Sequence, residues 1–356
     1  MANRIKKAAA LLDRYGIDAM LVTGIASERY VLGFRGKGTL IITADQAFYS
    51  VDGRYIEAAH EQVTDADIAL ADISHSHLDL AKRFVLEKGI RVLGYEEQTM
   101  SAGQYARYSS ALPCRLVPCQ SLIGSLRESK DPEELRSIRQ AQKITDEAFA
   151  DILGFIKPGV KEREIAARLV YEMFRRGGQR LAFNPIVAAG PNGSHPHAVF
   201  GARRVERGMF VTMDFGCMVD GYCSDMTRTV AVGEPTEEME KVYQTVLAAQ
   251  EAGIRAARSG IPGRCVDQAA RAVIEAAGYG SYFGHNFGHS IGLENHEEPN
   301  ASPTEERLFA ENAVISAEPG IYLPGKFGVR IEDLLILSPD GYEDITASPR
   351  QLIVLS

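Results

Sequence analysis

Three histidines and several acidic residues lie together in a glycine-rich stretch in the second half of this chain. Residues 284–299 read GHNFGHSIGLENHEEP and contain His285, His289 and His296. Helical and extended backbones both bring side chains four positions apart onto one face, so His285 and His289 share a face in either case. Glycine recurs at every fourth position, which disfavours a helix and favours a strand or tight loop with a close backbone approach. Imidazoles in such a stretch bind metal, move protons or fill a core.

Two aspartates are predicted to lie on one face of a β-hairpin. Residues 211–217 (VTMDFGC) and 222–230 (YCSDMTRTV) flank a turn near 218–221. The odd separation of Asp214 and Asp225 puts them on the same face of an antiparallel pair that turns there. Opposite Cβ atoms in such a pair are roughly 4.5–5.5 Å apart and diagonal ones roughly 7–8 Å. Either spacing lets the carboxylates share a cation, whereas two solvent-facing acids would leave like charges together.

Two glutamates occupy apolar surroundings further along the chain. Glu318 follows the run VISA and precedes Pro-Gly, so we expect it to end a strand at a turn. Glu332 is predicted inside a single strand, 328–337, whose alternation puts Arg330 and Glu332 on one face. A carboxylate in so apolar a strand is rarely buried without a partner. Arg330 is one candidate partner for Glu332, and a metal ion is the other.

The acids and one histidine together form a candidate centre for two divalent metal ions. Four carboxylates converging in a low-dielectric pocket must become protonated or move apart unless cations neutralise them. Paired metals roughly 3.5–4 Å apart activate a bridging water and polarise a carbonyl. Oxygen ligands with one nitrogen favour Mn²⁺, while Co²⁺, Fe²⁺ and Zn²⁺ also accept such ligands. The candidate ligands are Asp214, Asp225, His289, Glu318 and Glu332.

The elements that must position these residues predict an α/β (α+β) chain with two domains. Residues 1–122 alternate helical and extended patterns, which indicates an α/β domain, and 123–130 form a linker. Asp131 before Pro132 is a helix N-cap signal and opens a second domain, 131–356. Predicted helices there are 131–156, 161–176, 236–258 and 266–276, and predicted strands are 184–189, 209–215, 222–232, 313–317 and 328–337. We expect helices flanking an antiparallel sheet.

Two passages of the second domain resemble each other. Lys157-Pro-Gly and Ile261-Pro-Gly each follow a long helix, and Ala-Ala-Arg recurs at 166–168 and 269–271. The repetition predicts an internal duplication related by a pseudo-twofold axis. A site between the two halves would draw ligands from both.

Composition limits the classes of partner and location. The 356 residues carry a formal net charge of −8, which argues against nucleic-acid binding. No run of roughly 18 apolar residues is present to span a membrane. The pattern over residues 4–15 predicts an amphipathic first helix rather than a signal peptide, so we expect a cytoplasmic protein. Five cysteines are too few and odd in number for a disulfide scaffold.

Several ordered motifs make the chain resemble the creatinase/aminopeptidase P/prolidase family of pita-bread metallopeptidases. The resemblance covers the whole second domain and reaches the first at Tyr30-Val-Leu-Gly-Phe and Val51-Asp-Gly-Arg-Tyr. It implies a small N-terminal creatinase-like domain followed by a pita-bread catalytic domain. The second-domain motifs are Met213-Asp-Phe-Gly, Ser224-Asp-Met-Thr-Arg-Thr, the histidine stretch 284–299, Glu318-Pro-Gly-Ile-Tyr and Val329-Arg-Ile-Glu-Asp.

The resemblance also implies a role for each site residue. Asp225 and Glu332 would bridge two metals, with Asp214, His289 and Glu318 as the other ligands. Glu318 would also shuttle a proton. The resemblance places four further residues on the substrate side, with His296 assisting the oxyanion: His197, His285, His296 and Arg330. His195 is instead interpreted as a loop residue.

The activity that the resemblance implies is hydrolysis of Xaa-Pro bonds at peptide amino termini by attack of a metal-bridging hydroxide. A dipeptidase (prolidase) is the first interpretation, and an aminopeptidase P acting on longer peptides is the alternative, because Asn300 stands where short prolidases often carry an arginine. A non-catalytic peptide-binding pseudoenzyme is a remote alternative. Creatinase is disfavoured by the complete ligand set, and methionine aminopeptidase by the first domain. The resemblance further implies a homodimer.

Overall fold

The computed structural model describes residues 2–356, with side chains from residue 4 onward. It divides after Arg127 into two compact units, and each is described by itself. The domain boundaries given from the sequence, 1–122, 123–130 and 131–356, stay a prediction.

The first unit is built on a six-stranded sheet in the order β4-β3-β2-β1-β5-β6. The central strand β1 pairs antiparallel with β2 and parallel with β5. Its strands are β1 (Ala19–Val22), β2 (Thr39–Thr43), β3 (Ala47–Asp52), β4 (Asp67–Ala71), β5 (Val92–Tyr95) and β6 (Arg115–Pro118). Its helices are α1 (Ala2–Ala9), α2 (Leu12–Tyr15), α3 (Ile25–Leu32), α4 (Ile56–Gln62), α5 (His77–Lys88), α6 (Ala102–Ala111) and α7 (Gln120–Glu128).

The predicted first helix over residues 4–15 is wrong in one respect, because it is interrupted. The Leu11 N–H bonds to the Ala8 carbonyl at 3.1 Å, three residues back, which tightens the turn and ends α1 before α2 begins. The predicted α/β character of the unit is otherwise confirmed.

The second unit begins with the helix that its capping residues predict. Asp131 accepts hydrogen bonds from the Glu133 and Glu134 amides at 3.0 and 2.9 Å, and the Glu134 carboxylate accepts one from the Asp131 N–H at 2.8 Å. This reciprocal cap, with Pro132 in the first turn, satisfies amides that have no partner inside the helix. The helices of this unit are α8 (Pro132–Leu153), α9 (Glu162–Arg175), α10 (Glu237–Ala256) and α11 (Gly263–Ala276).

Four sheets make up the rest of the second unit. Their orders are β11-β10-β7, β20-β12-β9-β8, β14-β13-β15-β18-β19 and β16-β17. The strands are β7 (Arg180–Leu181), β8 (Ile186–Ala189), β9 (Met209–Phe215), β10 (Cys217–Val219), β11 (Tyr222–Cys223), β12 (Met226–Val232), β13 (Gly288–Ser290), β14 (Glu297–Ala301), β15 (Val314–Ala317), β16 (Gly320–Leu323), β17 (Phe327–Arg330), β18 (Asp333–Ser338), β19 (Gly341–Asp344) and β20 (Val354–Leu355).

Two strands that the sequence predicts as continuous are broken, and each break holds an acidic residue. The predicted strand 222–232 is split at Asp225, where Gly216 lies so close that a Cβ on it would come within 1.9 Å of the Ser224 carbonyl oxygen. The predicted strand 328–337 is split at Glu332, because β17 pairs with β16 whereas β18 pairs with β15 and β19. The single alternation assumed for Arg330 and Glu332 is therefore wrong.

Two apolar cores stabilise the second unit. The helices α10 and α11 bury side chains such as Val246 and Ile274 against the sheet containing Ile315 and Leu335. The helices α8 and α9 bury Phe149, with others, against the sheet containing β9 and β12. These two layers support the strands and strand ends that carry the candidate ligands.

All five cysteines are free thiols. None of the helices within residues 2–356 has the length and apolar character needed to cross a membrane.

Candidate metal centre and active-site cavity

The structure brings three of the predicted metal ligands into direct proximity. One ligand atom from each of Asp225, His289 and Glu332 lies within 4.8 Å of the others, and all three residues are buried. His289 stands on β13, while Asp225 and Glu332 lie in the two strand breaks described above. The two breaks lie next to each other, because the Glu332 backbone amide donates a hydrogen bond to the Thr227 carbonyl of β12 at 3.0 Å. The two carboxylates are therefore close together.

Glu318 and Asp214 complete the group. The Nε2 atom of His289 lies 3.2 Å from a Glu318 oxygen and 3.6 Å from an Asp225 oxygen. Asp214, on β9 opposite Thr227, forms a buried ion pair with Arg330. The name acidic cluster is used below for Asp214, Asp225, His289, Glu318 and Glu332.

The orientation of His289 suits a ligand. Its Nδ1 donates to the Ser290 carbonyl at 3.1 Å, which leaves Nε2 directed at the carboxylates. A hydrogen bond of this kind fixes the tautomer and ring plane of metal-binding histidines.

The pKa shifts within the acidic cluster show that its carboxylates oppose one another's ionisation. Burial and the neighbouring carboxylates raise the pKa of Asp225 and Glu332 well above the ordinary range. Burial opposes a charge on His289, but the hydrogen bond and charge of Glu318 and the charge of Asp225 raise its pKa to about 9. Burial likewise opposes ionisation of Glu318, yet its hydrogen bond from His289 lowers its pKa to about 2. A proton on the imidazole would supply part of the positive charge that the carboxylates require, and it would be replaced by a metal ion bound at Nε2.

The unpaired side-chain atoms of the acidic cluster are chemically suited to bind divalent metal ions. Three buried carboxylate oxygens of the cluster have no hydrogen-bond partner: Asp214 Oδ1, Asp225 Oδ1 and Glu332 Oε1. Buried carboxylate oxygens are normally hydrogen-bonded, ion-paired or bound to a metal. Four carboxylates and one imidazole are a donor set that suits manganese, iron, cobalt or zinc.

A cavity of about 840 Å³ opens onto this cluster. Four cluster members line it: Asp214, Asp225, His289 and Glu318. Glu332, with a relative exposure of 1%, lies beneath them. The cavity is large enough for a short peptide, since ligand pockets span roughly 300–1,000 Å³.

Another part of the cavity surface is apolar. It is contributed by α9, the end of β7, the start of β8 and the loops beside them. This apolar wall consists of Val170, Leu181, Phe183, Ile186, Val199 and Phe200. Val199, 83% exposed, and Phe200, 36% exposed, are held out toward solvent at its edge.

Each predicted substrate-side residue lines the cavity. His197, His285, His296 and Arg330 are all part of its surface, as is Asn300. The His296 ring lies 4.1 Å from that of His289, centroid to centroid. His195 is exposed outside this lining, and its Nδ1 donates to the Asn192 carbonyl at 3.2 Å.

Tyr322 is a cavity residue that the sequence interpretation missed. Its hydroxyl accepts from Arg330 Nη1 at 2.8 Å and donates to His285 Nε2 at 2.9 Å, since His285 Nδ1 donates to the Asn286 carbonyl. Burial lowers the pKa of His285, so this ring is neutral in the arrangement. Tyr322 is the last residue of the motif Glu318-Pro-Gly-Ile-Tyr, so the motif contained it without giving it a role, and that position is the signal that could have found it.

The Arg330 guanidinium donates hydrogen bonds to four protein groups: Asp214, Tyr322, the Thr227 hydroxyl and the Pro196 carbonyl. Its Nε also lies 4.0 Å from a Glu318 oxygen. Its close ion pair is with Asp214 rather than with Glu332, the partner suggested by a continuous strand. Thr227, also missed, donates to Glu332 Oε2 at 2.7 Å.

Two ion pairs, one partly and one fully buried, hold the histidine stretch. Asp267 on α11 accepts from the Phe287 amide at 2.9 Å, and Arg271, paired with Asp267, donates to the His285 carbonyl at 2.8 Å. Lys130 and Glu297, both with almost no exposed side chain, pair at 3.3 Å next to His296. The stretch is thus anchored on both sides of His289.

The close backbone approach predicted for the glycines is found at Gly288. A Cβ there would lie 2.0 Å from the Ser316 carbonyl oxygen, so only glycine fits beside His289.

Comparison with known proteins gives two family matches. Residues 136–339 match Metallopeptidase family M24, and residues 4–129 match the Creatinase/Prolidase N-terminal domain. The chain is 40% identical to an uncharacterized peptidase of Bacillus subtilis, over 99% of this chain and 100% of that one.

Two solved structures are similar throughout. A Xaa-Pro dipeptidase from Bacillus anthracis shares 38% identity with a TM-score of 0.96, covering 100% of both chains. An X-Pro aminopeptidase from Thermotoga maritima shares 36% identity with a TM-score of 0.88, covering 96% of this chain and 99% of that one. The predicted architecture, a small creatinase-like domain followed by a pita-bread domain, is confirmed.

Proposed function

Because this chain belongs to metallopeptidase family M24, we propose that it hydrolyses Xaa-Pro bonds at the amino termini of peptides, with Xaa-Pro dipeptides as the first substrate class. The observation that carries the proposal is the acidic cluster, whose unpaired buried oxygens face a peptide-sized cavity. The similarity to the Bacillus anthracis Xaa-Pro dipeptidase supports the choice of substrate.

The proposed metal ligands are the five members of the acidic cluster. Between them, these five residues would hold two divalent ions. The chemistry that such ions supply when bound is polarisation of the scissile carbonyl and activation of water.

The chain's own residues are proposed to bind the peptide and handle its protons. The leaving nitrogen of an Xaa-Pro bond is a ring amine that must gain a proton as the bond breaks. Glu318, as an ionised carboxylate, would accept a proton from the attacking water and pass it to this nitrogen, since its side chain is 17% exposed and reaches the cavity. His296 would donate to the developing oxyanion, while His197, His285 and Arg330 would position the peptide.

A second candidate function, cleavage of longer Xaa-Pro-Yaa peptides, is favoured by the surroundings of Asn300. This residue lines the cavity but carries no charge, and its backbone N–H donates to a Glu305 carboxylate oxygen at 3.4 Å. The nearby Arg307 is paired with Glu298 and Glu305. A free dipeptide carboxylate would find no unpaired cation in this corner, and the similar Thermotoga maritima structure is an X-Pro aminopeptidase.

The deciding experiment measures kcat/KM of the metal-reconstituted protein on Xaa-Pro and Xaa-Pro-Yaa peptides. Asn300→Arg should raise the dipeptide to tripeptide ratio about tenfold, because a charge-assisted pair is about twice as strong as a neutral bond. Asn300→Gln, which adds no charge, is the matched control. Absence of turnover on both peptide classes with every divalent metal would refute the proposed activity.

Three finer properties are proposed with it: manganese as the metal, a homodimer and a cytoplasmic location. Oxygen-rich donors support manganese. Five free thiols are consistent with a reducing compartment. Metal analysis after mild purification, sedimentation against the 38.9 kDa monomer and cell fractionation test the three in turn.

A further inference from the structure

A twelve-residue loop carries part of the cavity surface, and its two ends meet at one buried side chain. Residues 190–201, here called the cavity loop, contribute Pro196, His197, Ala198, Val199 and Phe200 to the cavity lining. Glu162, the first residue of α9, has a relative exposure of 1%. One of its oxygens accepts from the Ala189 amide at 2.8 Å, just before the loop, and the other from the Gly201 amide at 2.9 Å, where the loop ends.

The same carboxylate also reaches into the loop. The Asn192 side-chain amide donates to Glu162 Oε1 at 2.9 Å and to the Val199 carbonyl at 3.3 Å. All three partners of Glu162 are donors, and an ionised carboxylate is the side chain that offers only acceptors. The start of α9 further favours a negative charge at this position.

The first half of the loop also packs closely against β17, since a Cβ on Gly328 would lie 2.0 Å from the Gly193 carbonyl oxygen. Beyond it, Arg330 donates to the Pro196 carbonyl at 3.3 Å, and the other bonds of the loop include turns from His195 to Asn192 and from Ala198 to His195. Val199 and Phe200 are exposed to 83% and 36%, so packing does little to fix them.

We propose that Glu162 is a positioning residue for the substrate cavity. By binding both ends of the cavity loop and Asn192 within it, the carboxylate holds His197, Val199 and Phe200 at the cavity surface. Glu162 is not part of the cavity lining, so it acts through the segments that it binds, which are the loop and the end of β8. The kinetic part of this inference rests on the proposed peptide hydrolysis, whereas the structural part does not.

Glu162→Gln is the variant that tests the anchor. A carboxamide keeps the shape but has only one acceptor oxygen, so its NH2 group must face the donor at one end of the loop. Glu164→Gln is the matched control, because Glu164 lies in the same helical turn and its carboxylate binds Lys161, through the backbone amide at 2.9 Å and the ammonium group at 3.7 Å. Asn192→Ala, which removes one of the three donors, should give an intermediate effect.

The direct readout is amide hydrogen exchange. In Glu162→Gln we expect exchange across residues 190–201 to accelerate about tenfold or more, because a buried hydrogen bond to a charged group is lost. The rest of 128–356 and the bound metal should be unchanged. Since the chain contains no tryptophan, Phe200→Trp placed in each background gives a single fluorescent reporter, and its quenching by acrylamide should rise with Glu162→Gln.

Kinetics on Xaa-Pro peptides supply the second readout. Glu162→Gln should raise KM several-fold more than it lowers kcat, and Glu162→Asp, which keeps both acceptors on a shorter stem, should recover part of the loss. Equal loop exchange in Glu162→Gln and Glu164→Gln would overturn the proposal. Uniform acceleration across 128–356 would also overturn it, by making Glu162 a residue of general stability. If wild-type protein cleaves no peptide, the proposed function fails while the exchange data still decide the anchor.

Discussion

The acidic cluster and the apolar wall face the same cavity, but the backbone supports them differently. Asp214 and His289 stand on strands, and Glu318 and Glu332 sit just beyond strand ends where their amides bond to Phe287 and Thr227 of neighbouring segments. Most of the apolar wall lies on loops and element ends. Catalytic groups must be held in fixed positions, whereas a surface that binds substrate side chains of different sizes can be carried by loops.

The largest effect is expected from neutralising a member of the acidic cluster. Glu332→Gln keeps the bond from Thr227 but removes a buried charge, so we expect metal content to fall and kcat/KM to drop by more than about 10²-fold. Metal analysis and peptide assays measure both. The exposed Asp340, changed to asparagine, is the control. Full metal content with near wild-type turnover would mean that the cluster does not bind the catalytic metals.

An intermediate effect is expected where the cluster meets the substrate histidines. Tyr322→Phe removes the hydroxyl that joins Arg330 and His285, so each of these side chains loses one hydrogen bond. We expect kcat/KM to fall about tenfold with metal content unchanged. The exposed Tyr342, changed to phenylalanine, is the control. Unaltered kinetics would show that this hydroxyl does not hold His285 in place.

The smallest effect is expected on the apolar wall. Phe183→Ala should raise KM for Leu-Pro relative to Ala-Pro about threefold to tenfold, because less apolar surface is removed from water. Phe174→Ala, on α9 but outside the cavity lining, serves as the comparison. A decline of kcat instead of a change in KM would indicate that Phe183 supports the acidic cluster, and the distinction between the two regions would not hold.

The sequence predicts the cluster better than the backbone that carries it. Residue type and spacing identify all five candidate ligands, and the Asp131 cap predicts the start of α8. The strand breaks at Asp225 and Glu332 were missed because alternation of apolar residues continues through them, while the partner strand changes. Only the pairing of strands distant in sequence shows where one sheet ends and the next begins.

The residues that support the site are the hardest to predict. Glu162 reads as an ordinary acidic residue in the first turn of a helix, and Lys130 as part of a charged linker. Their partners Gly201 and Glu297 lie 39 and 167 positions away. No local sequence pattern predicts such contacts, because each charged residue becomes buried only through tertiary packing.

The large sequence separation between contacting residues has a consequence for when the site can form during synthesis. The ribosome adds Lys130 167 residues before its partner Glu297, and it adds Thr227 105 residues before Glu332. Domains fold as units once their chain has emerged. An emerging polypeptide therefore carries His285, His289 and His296 before it has Glu332, and the acidic cluster can assemble only after Glu332 has been added.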